Sequence, residues 1–315
     1  MEHSQNVGNN LLKLAMSIKL SELGYCPYFV GKLYYNNDIS FIKNNINIRL
    51  ITNFSEINEN DFDILMVNSD QTWKKGIDNF YDVAFLKFAE NWKKTKFTYG
   101  ASLGVEKWEY NKSEEKIAKH LLQNFTGLSV RENSAVKLIE KHLGFKVQFV
   151  LDPTFLINKK YYLNLINNFK SSIFNHKNNN KYIFSYILRK PGKIKKYLSY
   201  VESILQTKIF HLTINNKNQV KEFLYGIVNC KAVITNSFHG TVFSIIFKKP
   251  FISFQQKVND SRFNNLDEIF NIKNRIFNAD SIPPVSLLKQ PLIINETKLS
   301  LLKMQSISFL KKNLK

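Results

Sequence analysis

The densest group of chemically versatile residues is the run Thr235-Asn236-Ser237-Phe238-His239-Gly240-Thr241. The β-branched residues over 233–235 predict a strand that ends in this run, and a helix is predicted to start at His239. The amino end of a helix presents unpaired N–H groups and the positive end of its dipole, which favour a phosphate or a carboxylate. A histidine placed there can exchange a proton. The alternative, in which Asn236 and Ser237 only cap the helix, is outweighed by the clustering at a strand–helix junction.

Arg131 is the second candidate, in Ser129-Val130-Arg131-Glu132. A strand predicted over 127–130 carries it to a carboxyl end, and the planar guanidinium suits a carboxylate or a phosphate. A surface pair between Arg131 and Glu132 is an equal alternative from spacing alone. Lys257 and Arg262 follow a strand predicted over 251–254 and are candidates to add positive charge to the same pocket. The alternative, especially for a single lysine among so many, is a solvated surface residue.

Asp70 follows a strand predicted over 63–67, three residues before Trp73. A carboxylate can bind or deprotonate a sugar hydroxyl while an aromatic ring stacks on the apolar face of the sugar. A capping aspartate and a core tryptophan explain the pair equally well. Asn9 and Asn10 precede the first predicted helix, where they either contact a ligand or cap the helix.

Several signatures are missing from the sequence. It has no GxGxxG, no GxxxxGK[ST], no GxSxG and no histidine–cysteine–aspartate cluster with the spacing of metal ligands. Cys26 and Cys230 are isolated and are expected to be free thiols. We therefore expect neither a metal nor a cofactor.

The charge balance favours anionic partners. Lys and Arg number 45 against 25 Asp and Glu, a formal net charge of +20. The lysines are spread along the chain without a nucleic-acid motif, so no nucleic-acid partner is predicted. The amino terminus does not resemble a signal peptide, and no apolar stretch reaches about 20 residues. A cytoplasmic protein is expected; its oligomeric state is left open.

Predicted strands and helices alternate along the chain, which indicates an α/β fold with mostly parallel sheets. At 315 residues, two Rossmann-like lobes are expected to face one another across a cleft that holds the ligand. The lobes are predicted over 1–155 and 156–290, followed over 291–315 by a basic amphipathic helix. That helix either rests on an anionic membrane, as a peripheral contact at its inner face, or packs back across the lobes.

Six motifs occur in the order found in polysaccharide pyruvyl transferases, and the chain resembles that family over roughly residues 5–270. The resemblance implies a GT-B-like fold. Only seven residues precede Gly8, so two alternatives are open: the first lobe lacks the strand with which the family usually begins, or the start of the sequence is truncated. The motifs are Gly8-Asn9-Asn10, Asn68 to Trp73, Tyr99 to Gly104, Ser129 to Glu132, Val150 to Thr154 and Thr235 to Thr241.

The resemblance also implies an activity: transfer of the enolpyruvyl part of phosphoenolpyruvate to a pair of hydroxyls on a surface glycan or lipid-linked sugar, giving a pyruvate ketal and phosphate. It makes His239 the general acid, with Asp70 the candidate on the acceptor side. By the resemblance, Arg131 matches an arginine that holds the donor and Lys257 matches a basic residue after the next strand. Four further donor-binding candidates come from their place at the strand–helix junction: Asn236, Ser237, Gly240 and Thr241. The acceptor-binding candidates are Asn9, Asn10 and Trp73. Two alternatives stay open: a GT-B-like glycosyltransferase that uses a nucleotide sugar, and a non-catalytic module that binds glycan or membrane.

Overall fold

The structure, a computed structural model, describes residues 7–31, 44–76, 79–173, 182–188, 192–213, 218–255 and 260–315. Lys257 lies outside these ranges, so its role in donor binding stays a prediction. Across the described part of the chain, no helix combines the length and apolar composition needed to cross a membrane.

Strands and helices alternate along the described residues. The strands are β1 (Phe29–Gly31), β2 (Ile48–Leu50), β3 (Ile64–Val67), β4 (Thr95–Thr98), β5 (Ser129–Val130), β6 (Gln148–Phe149), β7 (Ile183–Tyr186), β8 (Ile209–His211), β9 (Ala232–Thr235), β10 (Phe251–Gln255) and β11 (Ile276–Asn278). The helices are α1 (Val7–Glu22), α2 (Phe80–Phe85), α3 (Lys112–Leu122), α4 (Asn133–Leu143), α5 (Lys159–Leu165), α6 (Gly192–Leu205), α7 (Gln219–Asn229), α8 (Phe238–Ile246), α9 (Ser261–Phe270) and α10 (Glu296–Asn313).

The second lobe is built on a five-stranded sheet in the order β11-β10-β9-β7-β8. Every pairing in it is parallel. The strands β7 and β9 are buried at each position, as expected where helices cover both faces of a parallel sheet. The chain leaves β7 on one side to form β8 and returns on the other to form β9. A crevice for ligand therefore opens at the carboxyl ends of β7 and β9.

The first lobe carries a shorter parallel sheet. β3 pairs with β4 and β5 pairs with β6, and isolated bridges from Phe97 to Gly127 and from Ala101 to Val130 join the two pairs. The strands β1 and β2 form a separate parallel pair. Because the strands run in the same direction, the residues that follow them meet at one edge of the sheet.

The first and last helices connect the lobes. The apolar side chains of α1 share one core with Phe223 and Phe243 of the second lobe. The helix α10 packs against the first lobe, where the ring of Phe309 lies 6.3 Å from that of Phe97 and the Ser306 hydroxyl accepts a 2.9 Å hydrogen bond from the Leu151 N–H. This arrangement matches the packing alternative that the sequence offered for the C-terminal helix.

The predicted α/β class, with two lobes and mostly parallel sheets, is confirmed. The predicted lobe boundaries near residues 155 and 290 stay predictions.

Candidate active site

The guanidinium of Arg131 lies at the centre of a buried group of carboxylates. Its Nη1 is 2.7 Å from Asp152 Oδ2, its Nη2 is 3.1 Å from Asp70 Oδ1, and its Nε is 3.4 Å from Glu132 Oε1. Burial alone would lower the pKa of Arg131, but the three neighbouring carboxylates outweigh it and raise that pKa above its ordinary value. Arg131 therefore carries a permanent positive charge at the junction of the lobes.

Parallel strands explain why these groups meet. Asp70, Arg131 and Asp152 follow β3, β5 and β6 at the same edge of the first-lobe sheet. Arg131 and Glu132 thus belong to the crevice, and the alternative of a surface pair is wrong: both are buried.

The backbone of Asp70 is strained. Its φ of +120° lies in a region that residues other than glycine rarely adopt, at a cost of about 1–3 kcal/mol. Hydrogen bonds from the N–H groups of Thr72 (2.7 Å) and Ser102 (3.0 Å) to the Asp70 carbonyl hold this conformation. Burial raises the pKa of Asp70, but the charges of Arg131 and His239 outweigh it, so the net direction is downward. The carboxylate is ionised where it meets Arg131.

His239 is the second residue of α8, and its Nε2 is 3.7 Å from Asp152 Oδ2. That distance is too long for a hydrogen bond, and Nε2 is buried without a hydrogen-bond partner among the described residues. Asp152 is held from its other oxygen, Oδ1, by the Thr154 hydroxyl at 2.7 Å. Burial raises the pKa of Asp152, but His239 and Arg131 outweigh it and hold that pKa well below its usual range. An anionic carboxylate therefore faces the imidazole.

The first turn of α1 packs directly against the imidazole. A Cβ added at Gly8 would lie 2.0 Å from Nδ1 of His239, a distance that no side chain can adopt. Only glycine lets the two helices approach so closely. The amino ends of α1 and α8 therefore converge on His239, with Asn9 half-buried and Asn10 buried in the same turn.

Three side chains predicted to bind the donor form hydrogen bonds within the second lobe instead. The Ser237 hydroxyl caps α8 by accepting the Gly240 N–H at 3.3 Å, and the Thr241 hydroxyl lies 2.6 Å from that of Ser253. The Asn236 amide bonds both the N–H (2.6 Å) and the carbonyl (2.8 Å) of Leu188. These three side chains fix the start of α8 at the carboxyl end of β9, beside the crevice. The N–H groups of Phe238 and His239, at the start of this helix, remain the part suited to an anion.

Gly240 serves close packing as well. A Cβ at this position would lie 2.3 Å from the Thr235 hydroxyl oxygen. Glycine therefore lets α8 start directly at the end of β9.

Trp73 is a core residue, so the predicted sugar-stacking role has no exposed ring to support it. Its exposure is 0 %, its indole N–H donates a 2.8 Å hydrogen bond to the Ala84 carbonyl, and its ring stacks on Phe85. The large apolar ring gains more from this cluster of aromatic side chains than from the crevice.

Glu132 is a site residue that the sequence pattern undervalued. Its Oε1 accepts a 2.5 Å hydrogen bond from the Ser102 hydroxyl, whereas its Oε2 is buried with no hydrogen-bond partner among the residues described. Burial raises the pKa of Glu132 above its ordinary value, and the charge of Arg131 opposes this only in part. The only sequence feature that pointed to Glu132 was its position directly after Arg131 at the end of a predicted strand.

A second arginine reaches the same place from α9. The guanidinium carbons of Arg262 and Arg131 lie 5.6 and 5.0 Å from the ring centroid of Phe238. Asn265, also on α9, donates a 3.0 Å hydrogen bond to the Arg131 carbonyl and accepts one of 3.1 Å from the Asn133 N–H. Asn265 therefore connects the second lobe to the candidate site by hydrogen bonds. No sequence motif predicted this contact.

The cluster is shielded from solvent except at Asp70, whose side chain is 29 % exposed. The exposures of Glu132, Arg131, His239 and Asp152 are 1, 3, 3 and 5 %. A titratable imidazole, fixed positive charge and a lowered carboxylate pKa in a dry junction are what proton transfer to a bound anionic substrate requires.

Comparison with known proteins gives one family and one fold. The family model described as polysaccharide pyruvyl transferase matches residues 6–257. No curated protein sequence matches the chain significantly. Among solved structures, UDP-GlcNAc 2-epimerase from Methanocaldococcus jannaschii superposes with a TM-score of 0.58 at 14% identity, over 94% of this chain and 96% of that chain. At that identity the likeness concerns the fold alone, which is two-lobed and GT-B-like.

Proposed function

This chain belongs to the polysaccharide pyruvyl transferase family, and we propose that it moves the enolpyruvyl group of phosphoenolpyruvate onto two hydroxyls of a glycan acceptor. The observation that carries the proposal is the buried position of His239, between the Asp152 carboxylate at 3.7 Å and the amino ends of two helices. The acceptor in this proposal is a surface glycan or its lipid-linked precursor.

Donor binding uses fixed positive charge and N–H donors. Phosphoenolpyruvate carries a carboxylate and a phosphate on a three-carbon skeleton, and the first turn of α8 together with Arg131 and Arg262 supplies the complementary charge. In this structure the Asp70 carboxylate lies 3.1 Å from Nη2 of Arg131. The donor carboxylate replaces Asp70 at that nitrogen when the lobes separate to admit the donor.

Proton transfer then starts the reaction. Protonated His239 delivers its proton to the methylene carbon of the donor, and the anionic Asp152 stabilises the imidazolium before transfer. The adjacent carbon becomes cationic, and an acceptor hydroxyl attacks it while Asp70 takes the hydroxyl proton. The bond from this carbon to the phosphate oxygen breaks, a second hydroxyl completes the ketal, and inorganic phosphate leaves. One proton enters the new methyl group, the two hydroxyls release two, and one leaves with phosphate.

A peripheral membrane contact is part of the proposal. Although α10 packs its apolar side on the first lobe, Leu301 and Met304 are 55 and 67 % exposed one turn apart. Lys311 and Lys312 are exposed at the end of the same helix. Apolar and cationic groups together favour an anionic membrane surface, which would bring the crevice to lipid-linked sugars.

The test is a reaction of purified protein with phosphoenolpyruvate and glycans extracted from cells lacking the gene. The proposal expects phosphate release that requires the glycan, a glycan heavier by one ketal-linked pyruvate, and loss of both with His239→Ala. Release of a nucleoside diphosphate from a nucleotide sugar, without use of phosphoenolpyruvate, would establish the glycosyltransferase alternative instead.

A further inference from the structure

The first half of α1 has one narrow opening to solvent. From residue 7 to residue 17 every position is buried except Asn9 and Lys13, which are partly exposed. Residues four apart lie one above the other on a helix, so Asn9 and Lys13 form a single polar stripe. It begins one residue after Gly8, which touches the imidazole of His239.

Lys13 forms no ion pair within contact distance among the described residues. No ion pair or hydrogen bond of its ammonium occurs among the described residues; its recorded contact is with the ring of Phe29, 4.7 Å from Nζ to the centroid. Burial lowers the pKa of Lys13, and the charge of Asp70 opposes that effect. Lys13 lies little more than one helical turn after Gly8, which touches His239, and the charge of Asp70 acts on it; both observations place Lys13 beside the crevice.

This state contrasts with that of the other cations in the crevice. Arg131 is surrounded by three carboxylates, and both oxygens of Asp260 bond the guanidinium of Arg262. A partly buried ammonium that lacks such a partner among the described residues is costly to the fold. Its presence beside a catalytic crevice is accounted for if an anion binds there.

We propose that Lys13 and Asn9 form a phosphate-binding subsite at the mouth of the crevice. The ammonium is a compact point charge with three donors, which suits phosphate oxygens, and the Asn9 amide adds a neutral donor within the amino-terminal turn of α1. The assignment rests on the proposed function, because the proposed substrates contain the phosphate that would bind. This is the phosphate of the enolpyruvyl donor or the diphosphate of a lipid-linked acceptor.

Binding measurements on four forms of the full chain test the subsite. They are the wild type, Lys13→Met, Lys13→Arg and Lys19→Met; Lys19 lies on the same helix with its ammonium already paired to Glu22. Calorimetric titrations use phosphoenolpyruvate for the donor and pyrophosphate for the linkage of a lipid-linked acceptor. Circular dichroism melting confirms that each form is folded.

Removing one charge-assisted hydrogen bond weakens binding about tenfold or more. We expect this loss in Lys13→Met, with near wild-type binding in Lys13→Arg and Lys19→Met. If Lys13→Met weakens the binding of phosphoenolpyruvate, the subsite binds the donor phosphate. If it weakens the binding of pyrophosphate alone, the subsite binds the diphosphate of the acceptor. Unchanged affinity of folded Lys13→Met for both ligands overturns the subsite.

A second readout separates the subsite from the proposed function. Acetylation of lysines by a soluble acyl ester, followed by mass spectrometry, measures how accessible Lys13 is with and without inorganic phosphate. The subsite predicts that phosphate protects Lys13 and leaves the exposed Lys298 unprotected. If the wild type does not bind phosphoenolpyruvate but inorganic phosphate protects Lys13 from acetylation, the proposed donor is wrong and the subsite is supported. Equal acetylation of Lys13 with and without phosphate overturns the subsite.

Discussion

Nε2 of His239 and Oδ2 of Asp152 face each other at 3.7 Å, both buried, across the junction of the two lobes. The gap is slightly too long for a hydrogen bond, and the same carboxylate is anchored by Arg131 at 2.7 Å and by Thr154. An imidazolium would be drawn to Asp152, whereas a neutral ring that has given up its proton would not. The pair is therefore suited to hold a proton before transfer and to release it.

Replacement of Asp152 by asparagine tests this pair. The variant keeps the shape but loses the negative charge that faces His239, and we expect kcat to fall by roughly 100-fold or more. Thr154→Val removes one hydrogen bond to Asp152 but keeps its charge, so its kcat should stay much closer to that of the wild type. An unchanged kcat in a folded Asp152→Asn variant would contradict the role.

Gly8→Ala tests the contact between α1 and the imidazole. The added Cβ would meet Nδ1 of His239 at 2.0 Å, so either the ring or the helix must move. A displacement of about 1 Å in a catalytic group costs about 10²-fold in rate. Lys19→Ala on the same helix serves as the control. Steady-state kinetics that are equal in both variants would mean that His239 is not placed by Gly8.

The raised pKa of Glu132 predicts that the difference in stability between the wild type and Glu132→Gln depends on pH. This pKa is raised in the folded chain, so the neutral carboxyl favours folding. This stability is fully present below the unfolded value of about 4.3 and is lost as the pH rises through the folded pKa. Glu132→Gln, which keeps a neutral group beside Ser102, should gain thermal stability over the wild type as the pH rises from 4 to 8. Each kcal/mol corresponds to about 2–4 °C of Tm, and a constant difference would argue against the raised pKa.

Trp73→Phe separates a core role from a sugar-stacking role. The variant loses the indole hydrogen bond to the Ala84 carbonyl, so the free energy of unfolding should fall by about 1–3 kcal/mol. The KM for the glycan acceptor should not change. A raised KM with unaltered thermal stability would restore the stacking role.

The sequence predicted the fold well because its elements are strongly patterned. The strands predicted over 63–67 and 251–254 correspond to β3 (Ile64–Val67) and β10 (Phe251–Gln255). The helix α9 was missed, although Phe263, Leu266 and Phe270 recur at helical spacing after the capping residue Asp260. With α9 the interlobe contacts of Asn265 and Arg131 were missed too.

The candidate site was predicted in its composition but not in its connections. Polar residues at strand ends identified His239, Arg131 and Asp70 because parallel strands gather such ends at one edge. The sequence could not show that Arg131 meets three carboxylates, since this depends on how distant strand ends align. The sequence also could not show whether Trp73 stacks on a sugar or packs in the core, because the same residue type serves both roles. The sequence did not single out Lys13 among so many lysines, because its lack of an ion pair among the described residues depends on the fold.

Deuterium incorporation tests the central claim most directly. With phosphoenolpyruvate and acceptor in heavy water, the proposed protonation by His239 places one deuteron in the methyl group of the ketal, with one inorganic phosphate released per ketal formed. Mass spectrometry and NMR of the product measure both. A product without deuterium in that methyl group, or glycan modification that releases no phosphate from phosphoenolpyruvate, would contradict the account.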